Sequence, residues 1–287
     1  MTLEPAHTGR QRDDLAEALR RLRRAAGLTG ARLAAHAGMS QAKISKIENG
    51  RIRPSVTDVE RILTALGFSL QSADGTRLLD LARAANSDYQ GFRTALQRGL
   101  GETQRDLAAI ESRAERICFF LPCMITGLLQ TPEYARQTLS HPLVSRGAEW
   151  ESALARRLER QQALHEQAPR FEFVLTEAAL RFPLCIPSVM ASQMDRIRSL
   201  THLDTVDIRV VPAHPPVQVP SGPLNGFTLY DDRLVTIEVH TGKLALRDPK
   251  DIAYSREIFD FFQEHALDPH HTRTFLEELA QEFRRHA

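Results

Sequence analysis

The 287-residue chain has few cysteines and no long apolar run, and each shortage removes a class of protein. Cys118, Cys123 and Cys185 form no Cys-x-x-Cys pair and, being three, cannot all pair within the chain. Reduced thiols in a cytosolic protein are the simplest expectation. No stretch approaches the roughly 18 consecutive apolar residues of a membrane span. Met1 to Arg10 is polar and lacks the apolar centre of a secretory signal, so the expected location is cytoplasmic. Internal repeats and low-complexity tracts are missing as well.

Catalytic signatures are equally scarce. Two imidazoles on one helix face need His-Glu-x-x-His, and the nearest match, His165-Glu166-Gln167-Ala168-Pro169, has proline in the second histidine position. His270 and His271 are adjacent, so on a helix they point about 100° apart and chelate poorly. Self-cleavage by a Ser/Lys pair needs a scissile Ala-Gly between domains. Ala26-Gly27 and Ala37-Gly38 both fall inside the first domain. Cys118 and Cys123 have no second pair to complete a zinc site, and no GxGxxG, Walker loop or GxSxG is present. The 11 scattered histidines read as surface or satisfied core groups. The expectation is a protein that is not an enzyme, with no catalytic residues, no metal and no cofactor.

What is present is unevenly charged. The net charge is +1, yet Arg10 to Arg53 holds 11 Lys/Arg against 4 Asp/Glu, while the rest of the chain holds 26 against 32. A basic patch on an otherwise acidic chain is the footprint of a nucleic-acid contact confined to one domain. Residues 11 to 70 read as four short helices, each closed by a glycine or opened by a capping residue. Leu15, Leu19, Leu22 and Ala26 share one face before Gly27. Thr29 opens Gly30–Ala37, ended by Gly38. Ser40 opens Gln41–Asn49, ended by Gly50. Pro54 or Ser55 opens a helix carrying Val56, Val59, Ile62, Leu63 and Leu66, ended by Gly67. From residue 75 to 115 the pattern stays helical with a break at Asn86-Ser87-Asp88, and its apolar positions (Leu78, Leu79, Phe92, Leu96, Leu107, Ile110) need a surface to pack on. Beyond it, β-rich runs at Arg116–Leu121, Phe171–Leu175, Asp207–Val211, Gly226–Tyr230 and Leu234–His240 alternate with helical patterns at Pro132–Leu139, Ala148–Gln167, Pro187–Leu203, Asp248–His265 and from Pro269 onward. Pro212 to Pro223, with five prolines, reads as an extended loop.

The expected fold class is therefore α+β and multi-domain. It has an N-terminal all-α helix-turn-helix bundle (10–74), a helical connector (75–115) and a C-terminal mixed α/β domain (116–287). Cut at residue 74, the first domain is expected to fold as a monomer. The connector and second domain, with the apolar residues Phe92, Leu96, Phe259, Phe261 and Phe262 in excess of local needs, are the expected surface of a homodimer.

The segment from Leu28 to Gly50 carries the functional reading. A helix crossing needs a small residue, a tight turn and an apolar residue after it, met by Ala34, Gly38 and Met39. On a helical wheel Ile44 and Ile47 point to the core, while Ala42, Ser45, Lys46 and Asn49 point away and Gln41 stands at the exposed N-terminal end. These residues, including Ile44-Ser45-Lys46-Ile47-Glu48-Asn49-Gly50, resemble the XRE or phage-repressor-like family of helix-turn-helix domains over roughly residues 12–70. The resemblance implies base reading in the major groove of double-stranded DNA by Gln41, Ala42, Ser45 and Lys46, at an inverted-repeat operator bound by a homodimer. It also implies phosphate contacts from Thr29, Arg32, Lys43, Asn49, Arg51 and Arg53, and an internal ion pair between Arg23 and Glu48. Where the family often has a phosphate-binding glutamine, this chain has Gly30.

A second run, Phe120 to Arg136, is similar to the hallmark of an antitoxin-like C-terminal domain common in actinobacterial regulators, supported by Phe173–Leu180 and Gly226–Leu229. Thr126 and Leu121 depart from that pattern, which usually has proline and an acidic residue there. The resemblance implies a transcriptional regulator whose C-terminal domain binds a small acidic partner protein; a small-molecule effector is the alternative. The motif itself reads as packing, with Thr131-Pro132 opening a helix, Tyr134 and Leu139 inward, and Gly127 admitting a close approach.

Overall fold

The computed structural model describes residues 6–91, 100–145, 150–214 and 222–287. Two compact units emerge. One comprises the chain up to Gln90 together with Leu244–Asp251; the other comprises Gly91–Lys243 and Ile252–Ala287. The expected dimer residues Phe92 and Leu96, and most of the loop Pro212 to Pro223, lie outside the described residues.

The first unit is helical. α1 (Ala6–Ala25), α2 (Gly30–Ala37), α3 (Gln41–Glu48), α4 (Val56–Ala65) and α5 (Ala73–Asn86) each begin or end where the local chemistry directs. Thr29, Ser40, Ser55 and Ser72 sit in extended conformation at the N-caps of α2 to α5, and each hydroxyl accepts a backbone N–H from the first turn. Ser55 and Asp58 form a reciprocal capping box. Leu15, Leu19, Leu33, Ile44, Ile47, Val59, Ile62 and Leu63 form one core, and α5 adds Leu78, Leu79 and Ala82 to it. The sequence placed these α5 residues in a separate connector. They belong to the first domain because α1 and α4 leave an apolar face that α5 covers.

A distant segment closes this unit. Asp248, 4% exposed, accepts the Val56 N–H at 2.8 Å through Oδ2, and its Oδ1 accepts the Lys250 N–H at 3.0 Å. The Val56 N–H belongs to the first turn of α4, where no intrahelical acceptor exists. Nearby, Asn86 donates to the Pro54 carbonyl at 2.8 Å, and the Arg247 N–H donates to the Asn86 carbonyl at 2.9 Å.

The second unit is mixed α/β, as the sequence indicated. Strands β2 (Arg116–Leu121), β3 (Arg170–Thr176), β4 (Val206–Val211), β5 (Phe227–Tyr230) and β6 (Leu234–Val239) run in the order β6-β5-β2-β3-β4. β3 is parallel to both β2 and β4, whereas β5 is antiparallel to β2 and β6. Two short strands not foreseen, β1 (Ser87–Gly91) and β7 (Gly242–Leu246), are hydrogen-bonded neighbours. Ile117 to Phe120 of β2 and Phe173 to Thr176 of β3 are buried without alternation because both sheet faces are covered there. Phe119 stacks on Phe173 at 4.9 Å, while its chain neighbour Phe120 points to the opposite face and stacks on Phe262 at 4.5 Å. The helices are α6 (Leu100–Glu111), α7 (Pro132–Ser140), α8 (Pro142–Ser145), α9 (Trp150–Arg160), α10 (Glu177–Arg181), α11 (Pro187–Leu200), α12 (Pro249–Glu264) and α13 (Pro269–Arg285).

This arrangement corrects the expected dimer surface. Phe259 is fully buried and Phe262 is 6% exposed. Phe261 is half-buried between the Phe262 and His265 rings at 5.4 and 4.3 Å. The sheet consumes aromatics that the linear sequence showed only as surplus.

Candidate nucleic-acid interface

The helix-turn-helix is built from a turn and two short helices. Gly38 has φ +63°, a left-handed conformation that costs glycine nothing, and its N–H closes the end of α2 on the Ala34 and Ala35 carbonyls. Ser40 then accepts the Lys43 N–H at 3.2 Å and starts α3. Ile44 and Ile47 are each 1% exposed. With these two fixed inward, helical spacing leaves Gln41, Ala42, Ser45 and Lys46 exposed on the outer side, together with Asn49 at the C-cap. All four sequence-predicted base-reading residues thus lie on one short helix.

The sequence-predicted phosphate contacts differ in their surroundings. Arg32 and Arg51 are exposed, and Arg53 is half-buried. Thr29 is exposed, with its hydroxyl accepting the Arg32 N–H at 3.2 Å. Lys43 is engaged inside the protein: its Nζ lies 2.7 Å from Asp58 Oδ1, the same carboxylate that completes the α4 capping box through Ser55. Asn49 is also engaged, its Oδ1 accepting from Arg20 at 2.7 Å.

Arg23 and Glu48 lock α1 to the end of α3. Arg23 Nε and Nη2 donate to the two carboxylate oxygens at 2.6 and 2.8 Å, and Nη1 donates to the Leu28 carbonyl at 2.8 Å. The side chains are 15% and 10% exposed. These hydrogen bonds hold the Arg23 guanidinium above its ordinary pKa. Sequence reasoning missed Arg20, which donates to the Glu48 carbonyl as well as to Asn49 and so caps the negative end of α3. A basic residue one turn before Arg23 on α1 was the available signal. Asp58 was visible as half of a Ser-x-x-Asp box, but its link to Lys43 was not.

In the second unit the Phe120 to Arg136 motif packs inward. Ile125, Leu128, Leu129 and Tyr134 are fully buried. Gly127 lies against Arg157: a Cβ there would stand 2.9 Å from Arg157 Nε. Arg157 donates to Gln130 at 2.7 Å, Gln161 donates to the Gly127 and Gln130 carbonyls at 2.8 Å, and Gln193 both receives the Thr131 N–H and donates to the Leu129 carbonyl at 2.8 Å. Burial first, and then the neighbouring Arg160 charge, push Arg157 down to about 10. Arg160 faces Glu111 at 3.3 Å with both side chains almost wholly buried, and burial raises the Glu111 carboxyl despite that cation. Cys118 is buried, Cys185 is half-buried and Cys123 is exposed, all as free thiols. Among the described residues no group of three or more His, Cys, Asp or Glu is placed to hold a metal ion, and no helix is long and apolar enough to cross a membrane.

A family model described as a helix-turn-helix domain matches residues 14–74, and one described as a domain of unknown function (DUF5753) matches residues 104–278, more than half of the chain. No curated protein matches the sequence. Among solved structures, NucT from Helicobacter pylori is similar with a TM-score of 0.34 and 10% identity over 63% of this chain and 98% of that one. The phospholipase D family member Nuc from Salmonella typhimurium has a TM-score of 0.31 and 14% identity over 57% and 89%. The archaeal chromatin protein TrmBL2 has a TM-score of 0.30 and 10% identity over 63% and 53%. Scores this low carry no functional argument.

Proposed function

The chain belongs to the DUF5753 family and carries a helix-turn-helix domain ahead of that family's domain; from this premise we propose that it is a sequence-specific transcriptional regulator of the XRE type. The observation that carries the reading is the division of α3, with Ile44 and Ile47 sealed in the core and Gln41, Ala42, Ser45 and Lys46 exposed together. Gln pairs with adenine and Lys with guanine in the major groove, and a small side chain meets a thymine methyl. One such helix touches only a few base pairs, so the working unit is a homodimer on an inverted repeat with half-sites roughly 34–36 Å apart.

The role of the C-terminal domain in this reading is antitoxin-like: it pairs with a small acidic protein rather than performing chemistry. Phe182 and Ile186, 55% and 67% exposed within five residues of each other, support it, since exposed apolar side chains in one loop suit a protein surface. Selection of binding sites from randomised duplexes with the full chain tests the DNA-reading part. A defined palindrome is expected, and Lys46→Ala should lose discrimination at one base pair by about 1–3 kcal/mol while keeping its affinity for random DNA. Recovery of no preferred sequence refutes the reading.

A further inference from the structure

The first unit contains a cleft of about 460 Å³ between the outer face of α1 and the turn that follows the reading helix. Arg20, Arg21 and Arg24 line it from α1, and Asn49 and Gly50 line it from the turn. Two acids also border it. Glu48 is committed to Arg23 through both carboxylate oxygens, which leaves Glu17 as the only other acid along its wall among the described residues. Arg21 and Arg24 are exposed, and among the described residues no ion pair or hydrogen bond holds either side chain. Arg24 follows Arg20 by four residues and Arg21 by three on α1, so its charge repels both until an anion lies between them.

A helix C-terminus ordinarily repels anions. Here Arg20 removes that obstacle, because its guanidinium donates to the terminal Glu48 carbonyl and to Asn49 Oδ1. The cleft is continuous with the reading face through Asn49, one turn beyond Ser45 and Lys46 on α3. Apart from Asn49, no residue that the sequence assigned to phosphate contact lines it.

We propose that this α1 cleft binds a backbone phosphate of the DNA whose groove α3 enters, with Arg21 and Arg24 as the anion-binding groups and Arg20 as the residue that offsets the negative end of α3 beside them. The inference rests on the DNA-reading proposal above. It extends the phosphate footprint to the first helix, so that one strand is held beside the C-terminal end of the reading helix as well as at its N-terminal side.

The test is equilibrium binding of the full chain to its selected duplex and to a random duplex across a salt series. The variants are Arg21→Ala, Arg24→Ala, Arg21→Lys and Arg24→Lys, with Lys46→Ala alongside. Each alanine variant is expected to flatten the slope of log K against log salt by about 1, equally on both duplexes, at an unchanged melting temperature. Each lysine variant should keep the wild-type slope, because a point charge is enough for a phosphate. Wild-type slopes in both alanine variants overturn the proposal, and so does a slope that falls as far in the lysine variants. If those results accompany loss of discrimination in Lys46→Ala, the DNA-reading proposal stands and only the cleft assignment fails. If the wild-type chain binds neither duplex, both fail together.

Discussion

Ending the chain at residue 74 should leave the first domain largely unfolded, although the helix-turn-helix itself would be intact in sequence. The cut removes α5, and with it Leu78 (1% exposed), Leu79 (6%) and Ala82 (0%) from the core formed with α1 and α4. Two buried leucines at about 1.5–3 kcal/mol each and one alanine methyl at about 0.8 amount to roughly 4–7 kcal/mol of lost burial. A domain near 90 residues holds only about 5–13 kcal/mol in total, at roughly 0.05–0.15 per residue. A fragment ending at residue 91 keeps α5 and loses mainly the Asp248 carboxylate over the Val56 N–H. An unsatisfied buried N–H costs about 1–3 kcal/mol, which for this size lowers the melting midpoint by about 4–8 °C per kcal/mol. Far-UV circular dichroism melts and amide NMR spectra of fragments 1–74 and 1–91 decide the matter. The longer fragment should melt cooperatively and show dispersed amides, and the shorter should do neither. If 1–74 melts cooperatively within a few degrees of 1–91, α5 is not part of the domain core and this account of its boundary is wrong.

Glu48→Ala should cost the first domain about 3 kcal/mol, near the lower end of the 3–5 seen when one partner of a buried pair is removed. Arg23→Met with Glu48→Leu should recover most of it, and chemical denaturation of the two variants compares them directly. Gly127→Ala forces a methyl against the Arg157 side chain that Gln130 holds. A loss of about 1–3 kcal/mol is expected from such overpacking, and a melting temperature equal to wild type would show that Arg157 yields freely. Burial raises the Glu172 carboxyl, but the Arg116 hydrogen bonds at 2.6 and 2.8 Å outweigh it and hold the group below its usual range. Its stabilising contribution is therefore complete above the unfolded carboxylate pKa of about 4.3 and fades as pH falls below that. Glu172→Gln should flatten the acid limb of the stability–pH curve of the second domain, and an unchanged limb would remove Glu172 from that account.

The local grammar of the chain was legible residue by residue. Ser40 and Thr131-Pro132 marked helix starts, and a third was narrowed to Pro54 or Ser55, because N-capping depends only on neighbours. Gly38 marked the turn because only the local backbone needs the left-handed conformation. The outer face of α3 followed from helical spacing once Ile44 and Ile47 were set inward. β2 was read with the bounds it has, and β3 to β6 within one residue at either end, because their apolar runs stop at polar or turn residues. Apart from the Arg23–Glu48 pair, which the family resemblance implied, partnerships across the chain were not legible. No periodicity links Asp248 to Val56, Gly127 to Arg157, or Lys43 to Asp58. Phe259 and Phe262 looked superfluous until the sheet placed Phe120 against one of them. The packing of α5 on α1 and α4 was not foreseen, because helical apolar spacing shows that a face is covered but not which element covers it.

The Asp248–Val56 hydrogen bond spans 192 residues, and this gives the first domain a timetable. At roughly 5–20 residues per second, a ribosome needs on the order of 10–40 s after making Val56 before Asp248 exists at all. During that interval α1 to α5 can assemble, but the first turn of α4 keeps an open N–H where the finished protein has a carboxylate. A chain abandoned before residue 248 carries all five helices of the first unit and still lacks this closure. The helix-turn-helix unit is thus encoded first and closed only late, so its final stability reports that translation reached the C-terminal region.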